Sequence, residues 1–102
     1  MLKKDRLERT IAKMKEKDIP QMLVSDQYAL YYLLDKTFVF GERMGALYIN
    51  VDGTVHFVLN KLFPQVEDLG VEITYYDDVE DGVEILSRFV DKEKTMGIDK
   101  TW

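Results

Sequence analysis

The sequence predicts an α/β domain: a mixed, largely parallel sheet with one antiparallel hairpin and helices on both faces. Three observations carry this. Two apolar runs, Ala46 to Val51 and Val55 to Leu59, meet at Asp52-Gly53, a strong local hairpin signal because both residues tolerate the positive φ of a tight primed turn. Both runs stay mostly apolar on their two sides. Leu47, Ile49 and Val51 alternate with Ala46, Tyr48 and Asn50, and Val55, Phe57 and Leu59 with His56 and Val58. Such a pair belongs inside a sheet covered on both faces. Around it, helical periods and short strands follow in the order α-β-α-β-β-α-β-α-β, the alternation of a largely parallel sheet.

The elements are justified in turn. Leu7, Ile11 and Met14 fall at i, i+4 and i+7 among charges, which predicts a helix from Leu2 to Lys17. Asp18-Ile19-Pro20 stops it, because the residue before proline is pushed out of the helical region. Met22-Leu23-Val24 reads as a short strand within Gln21 to Val24. Ser25 or Asp26 then caps a second helix, Gln27 to Leu34. That helix carries Tyr28, Tyr31 and Tyr32, and the expectation is that these rings pack against the sheet, with ligand stacking as the alternative. Lys36 to Met44 has no period and joins this helix to the hairpin.

After the hairpin, Asn60 to Asp68 reads as a short helix, with Pro64 tolerated near its first turn. Leu69-Gly70 closes it. Val71 to Tyr76 alternates Val71, Ile73 and Tyr75 against Glu72, Thr74 and Tyr76, the pattern of a strand near the sheet edge. Asp77 or Asp78 caps a helix to about Val90 with the stripe Val79, Val83, Leu86 and Val90. Met96-Gly97-Ile98 opens a last short strand. The expected core is Leu7, Ile11, Leu23, Leu47, Ile49, Phe57, Leu59, Val83 and Leu86. The 102 residues read as one domain. The sequence stops at Trp102 just after a strand, so the expectation is the front part of a longer chain.

Composition narrows the function classes. Hydrophobic residues make up 46% and charged residues 32%, as in soluble globular proteins. There is no cysteine, which excludes disulfides, thiolate metal sites and thiol nucleophiles. No apolar run is long enough to cross a bilayer, and Met1 to Arg6 lacks the unbroken apolar stretch of a signal peptide, so the cytoplasm is the expected compartment. The net charge of −5 opposes nucleic-acid binding. The one basic cluster, Lys3 to Lys17, is interleaved with Asp5, Glu8, Glu16 and Asp18 and reads as a solvated helix face, with a polyanion site as the alternative.

Catalytic patterns are sparse. Asp77, Asp78, Glu80, Asp81 and Glu84 form the best cation candidate, but carboxylates at a helix N-terminus are also placed there by the dipole. His56 is the single histidine and has no nucleophile pattern around it, so a structural role is the better reading. Gly41 and Gly45 lack the strand-loop-helix context of a phosphate cradle. Phe38 and Phe40 stand out, because two large apolar residues in a connecting loop must be covered by this domain or by a partner.

A resemblance adds to this. Arg6-Leu7 opens a helix, an apolar strand ends in Ser25-Asp26, and Tyr32-Leu33 closes the second helix. Gly41-Glu42-Arg43, a strand, an Asp-Gly turn and a second strand follow, and Gly97 to Trp102 comes late. This series resembles the N-terminal domain of the creatinase/prolidase/aminopeptidase P family. The family has Thr-Gly-Phe after Tyr-Leu where this chain has Leu34-Asp35-Lys36.

The resemblance implies a ribonuclease-H-like accessory domain with no catalytic residue and no metal or cofactor of its own. In the family, a separate C-terminal domain holds two divalent metal ions such as Mn²⁺ and cleaves Xaa-Pro bonds, or creatine in creatinases. It also implies a homodimer, whose partner subunit and own catalytic domain are the partners, with no nucleic acid and no membrane. The matching partner-facing, active-site access loop is Asp35 to Arg43, with Asp35, Phe38, Phe40, Glu42 and Arg43 as its residues. A stand-alone interaction module of the same fold and the front of a creatinase-type amidinohydrolase are the alternatives.

Overall fold

A computed structural model describes residues 2–36, 45–61, 70–77, 82–91 and 96–98. Eight elements follow in the order α1 (Lys4–Glu16), β1 (Gln21–Val24), α2 (Gln27–Leu34), β2 (Ala46–Asn50), β3 (Val55–Asn60), β4 (Glu72–Tyr76), α3 (Gly82–Ser87) and β5 (Met96–Ile98). The helix expected over Asn60 to Asp68 falls mostly outside the described residues, as do Asp78 to Asp81.

The strands form one sheet in the order β4-β3-β2-β1-β5. It is mixed, with helices on both faces, as the sequence predicts. Its parallel share is smaller than expected: β1–β5 and β3–β4 are parallel, while β1–β2 is antiparallel in addition to the β2–β3 hairpin. The connection permits this. Residues 35–45 separate α2 from β2, a span too long to tie the direction of β2 to that of β1. β2 enters beside Val24, with Leu47 opposite it.

The hairpin turn also differs in type. Asn50 N–H donates to Thr54 O and Gly53 N–H to Asn50 O, so the loop is Val51-Asp52-Gly53 rather than a two-residue turn. Gly53 takes φ 101° while Asp52 keeps a negative φ. A left-handed glycine closing a three-residue loop is the usual next-shortest hairpin. The Asn50 carboxamide accepts from Asp52 N–H and the Asp52 carboxylate from Thr54 N–H, which fixes the loop from inside.

α1 ends before proline can act. Asp18 adopts φ 58°, and Ile19 N–H bonds back to Met14 O while Asp18 N–H bonds to Lys15 O. That is a Schellman closure with aspartate in the usual glycine position. α2 is capped by Asp26, whose carboxylate accepts from Ala29 N–H at 3.2 Å, and it ends on Asp35 at φ 56°.

Two cores lie on the two faces of the sheet. On one face α1 and α2 bring Leu7, Met14, Leu30, Leu33 and Leu34 onto Val24, Leu47, Ile49, Phe57 and Leu59. On the other, Ile85 and Leu86 of α3 cover Leu23, Ala46, Tyr48, Val58 and Tyr76. Of the expected core, Leu7, Leu23, Leu47, Ile49, Phe57, Leu59 and Leu86 are buried, and Ile11 is half-buried. Val83 lies in α3, but its side chain is outside the described residues.

The reading of α2 is overturned. Tyr28, Tyr31 and Tyr32 face solvent, at 76%, 51% and 41% exposure, and the helix buries Leu30, Leu33 and Leu34 instead. Positions 30, 33 and 34 make a complete i, i+3, i+4 stripe without polar atoms, whereas a buried tyrosine must find a partner for its hydroxyl.

Candidate functional site

The expected access loop leaves the described fold at one anchored point, the C-terminal end of α2. There Asp35 donates its N–H to Tyr31 O. Lys3 N–H donates to Leu33 O at 2.7 Å, and the Lys3 ammonium lies 3.6 Å from the Asp35 carboxylate. The Arg6 guanidinium donates to Tyr32 O at 2.8 Å and stands 5.0 Å over the Tyr32 ring. The last carbonyls of a helix lack partners inside it and carry the negative end of its dipole; here the Lys3 backbone N–H satisfies one and the Arg6 guanidinium another. α1 thus holds the point from which residues 35–43 depart. Phe38, Phe40, Glu42 and Arg43 lie outside the described residues.

Asp35 is accordingly a capping residue with an ion pair to Lys3, both half-exposed, and that pair contributes little by itself. Within the basic run from Lys3 to Lys17, Lys3 and Arg6 meet the end of α2 among the described residues. The sequence signal for this was available in principle, because a cation one turn into α1 could meet a helix end. Nothing in the linear pattern said which helix.

Two polar clusters on the α3 face escaped sequence reasoning. Gln21 is fully buried, and its amide pairs with the backbone of Asp91: Nε2 donates to Asp91 O at 2.6 Å and Oε1 accepts from Asp91 N at 3.0 Å. The Tyr48 hydroxyl donates to the same Oε1 at 3.0 Å, and Asn50 Nδ2 donates to that hydroxyl at 3.1 Å. This relay runs from the hairpin turn to the chain segment that follows α3. It satisfies polar groups that burial would otherwise penalise.

His56 forms the second cluster. Its ring stacks on Phe89 at 3.9 Å, Nε2 lies 2.6 Å from Thr74 Oγ1, and Nδ1 lies 3.5 Å from Glu72 Oε2. With the Nδ1 proton directed at Glu72, Nε2 accepts from the Thr74 hydroxyl. Burial pushes the imidazole pKa below its usual 6.5, against the pull of the largely exposed Glu72 carboxylate. His56 is therefore a neutral, structural histidine at neutral pH. The open groove beside it, of about 500 Å³, meets Tyr48, Asn50 and His56, whose polar atoms are already engaged.

Among the described residues no group of three or more His, Asp or Glu could hold a metal ion. Of the acidic run, Asp77 pairs with Lys61 at 3.6 Å and Glu84 with Arg88 at 3.0 Å. No helix among the described residues is long and apolar enough to cross a membrane.

The polar side chains thus hold segments in place, and the class of protein is a two-faced mixed α/β domain. The model of the Creatinase/Prolidase N-terminal domain matches residues 6–102, and the chain belongs to that family. Solved structures agree in fold. A dipeptidase from Pyrococcus horikoshii OT3 is 24% identical with a TM-score of 0.80, over 95% of this chain and 28% of its own. A prolidase from Thermococcus sibiricus is 22% identical with a TM-score of 0.80, over 100% of this chain and 29% of its own. The Creatinase/Prolidase N-terminal domain of an X-Pro dipeptidase from Streptococcus pyogenes is 18% identical with a TM-score of 0.78, over 93% of this chain and 76% of its own. The chain spans under a third of the length of the first two. Comparison with curated protein sequences returns no match.

Proposed function

We propose that this chain is the non-catalytic N-terminal domain of a metal-dependent Xaa-Pro dipeptidase or aminopeptidase working in the cytoplasm, where it serves dimerisation and active-site access. In this reading two divalent metal ions sit in a separate catalytic domain, and residues 35–43 of one subunit reach towards the active site of its partner. The observation that carries the reading is the family match over residues 6–102, joined to a fold shared with part of a dipeptidase and of a prolidase and with the N-terminal domain of an X-Pro dipeptidase. The pairing of the loop's first residue, Asp35, with Lys3 and the bond from Arg6 to the end of α2 fit it, because an access element needs a fixed root.

The test is Ala-Pro hydrolysis after Mn²⁺ loading, by the full-length gene product and by the 102-residue chain. Turnover is expected from the former and none from the latter. Metal-dependent turnover by the 102 residues alone, or a full-length product inert on Xaa-Pro dipeptides, would overturn the reading. Phe38→Ser with Phe40→Ser tests the loop. The 102-residue chain should keep its melting temperature while the full-length product loses dimerisation or turnover. Unfolding of the chain by this pair would assign both rings to its own core.

A further inference from the structure

The solvent side of α2 is unusual for this chain. Nearly a third of all residues are charged, yet Gln27, Tyr28, Tyr31 and Tyr32, the exposed residues of the helix, carry no charge. Positions 28, 31 and 32 lie on one stripe, so the three phenols share the solvent side of the helix, with the Arg6 guanidinium over the Tyr32 ring. A helix apolar on all sides is ordinarily covered on all sides.

The two ends of this stripe differ in charge. At the N-terminal end stands the carboxylate of Asp26. At the C-terminal end stand Arg6, Lys36 and the Lys3–Asp35 ion pair. Two copies of α2 laid antiparallel across a two-fold axis therefore bring the anionic end of each against the cationic end of the other. The same arrangement opposes the helix dipoles favourably. Between the ends, phenol hydroxyls both donate and accept, so a tyrosine surface can pair with its own copy. Without a carboxylate among its exposed residues, it is also ground on which two chains of net charge −5 can approach.

We propose that this tyrosine face is a homodimer contact in which α2 packs antiparallel on α2 of a second copy. The inference rests on the dimeric part of the function proposed above and names the surface. The three side chains expose roughly 350 Å² together, at about 200 Å² for a whole tyrosine. A stable dimer buries about 800 Å² per partner, so the contact is a weak one for the 102 residues alone. The antiparallel geometry places Tyr31, near the middle of Gln27–Leu34, against its own counterpart.

The absence of cysteine makes this directly testable. Sedimentation of the 102-residue chain from 10 µM to 1 mM should show reversible dimerisation. Tyr28→Asp with Tyr31→Asp should weaken it about tenfold or more while leaving the melting curve intact at low concentration, because both positions are exposed. Under mild oxidation Tyr31→Cys should form covalent dimers much faster than Lys15→Cys on the exposed side of α1. A chain that dimerises equally well with both aspartates, or cross-links equally from both cysteines, overturns the tyrosine contact and leaves dimerisation through residues 35–43 standing. A chain that stays monomeric at 1 mM overturns the contact, and the dipeptidase reading is then judged by Ala-Pro turnover alone.

Discussion

The orientation of α2 can be decided by one pair of substitutions, Leu30→Ala and Tyr28→Ala. Leu30 is fully buried and belongs to the core beneath α1 and α2, whereas Tyr28 is 76% exposed. Leu→Ala removes three buried carbon groups, worth about 0.8 kcal/mol each, or about 2.4 kcal/mol in transfer free energy. The space they leave adds up to about 1.8 kcal/mol if a void of about 75 Å³ fails to collapse, at about 24 cal/mol per Å³. The expected cost is therefore about 3–4 kcal/mol, which lowers the melting temperature of a chain of this size by about 15–20 °C. Tyr28→Ala should stay within about 0.5 kcal/mol, helped by the helix propensity of alanine. Urea and thermal melts at a few micromolar measure both without contribution from self-association. A Tyr28→Ala cost equal to or above that of Leu30→Ala would mean that the tyrosines face the sheet, and the rotation of α2 described here would be wrong.

Other expectations follow from the two polar clusters and the cap. Because His56 has a lowered pKa in the fold, the unfolded chain binds more protons below pH 6.5, so stability is full above 6.5 and falls as the pH drops towards the folded value. His56→Gln should flatten that dependence between pH 7.5 and 5.5, read from melting temperatures, and identical slopes in both proteins would refute it. Tyr48→Phe, which leaves the Asn50 amide without this acceptor and the Gln21 carbonyl without this donor, should cost about 1–2 kcal/mol in urea melts. Gln21→Leu should cost more, since it also releases the Asp91 backbone, and hydrogen exchange at Asp91 should speed up with it. Asp26→Ala should cost about 1 kcal/mol through loss of the bond to Ala29 N–H, with helicity measuring the loss.

The linear sequence determined the elements whose cause is local. The period of Leu7, Ile11 and Met14 made α1, the two-sided apolar alternation about Gly53 made β2 and β3 interior strands, and the wetter alternation of 71–76 put β4 at an edge. The ordered series of short signals from Arg6 to Trp102 was enough to show the family, because it depends on spacing along the chain. Tertiary structure decided what depends on neighbours distant in the chain. The direction of β2 beside β1 rests on pairing between residues as far apart as Val24 and Leu47, which no periodicity describes. The face of α2 turned on whether three leucines or three tyrosines met the sheet, and the hydroxyls, which need partners, lost that competition to side chains without polar atoms. Gln21 and Asp91 are 70 residues apart, and Arg6 and Tyr32 are 26 apart, so only the folded chain brings a buried amide to a backbone and a guanidinium to a helix end. Hydrogen bonds act over about 3 Å, and a sequence shows which groups need partners but not which ones come within that reach.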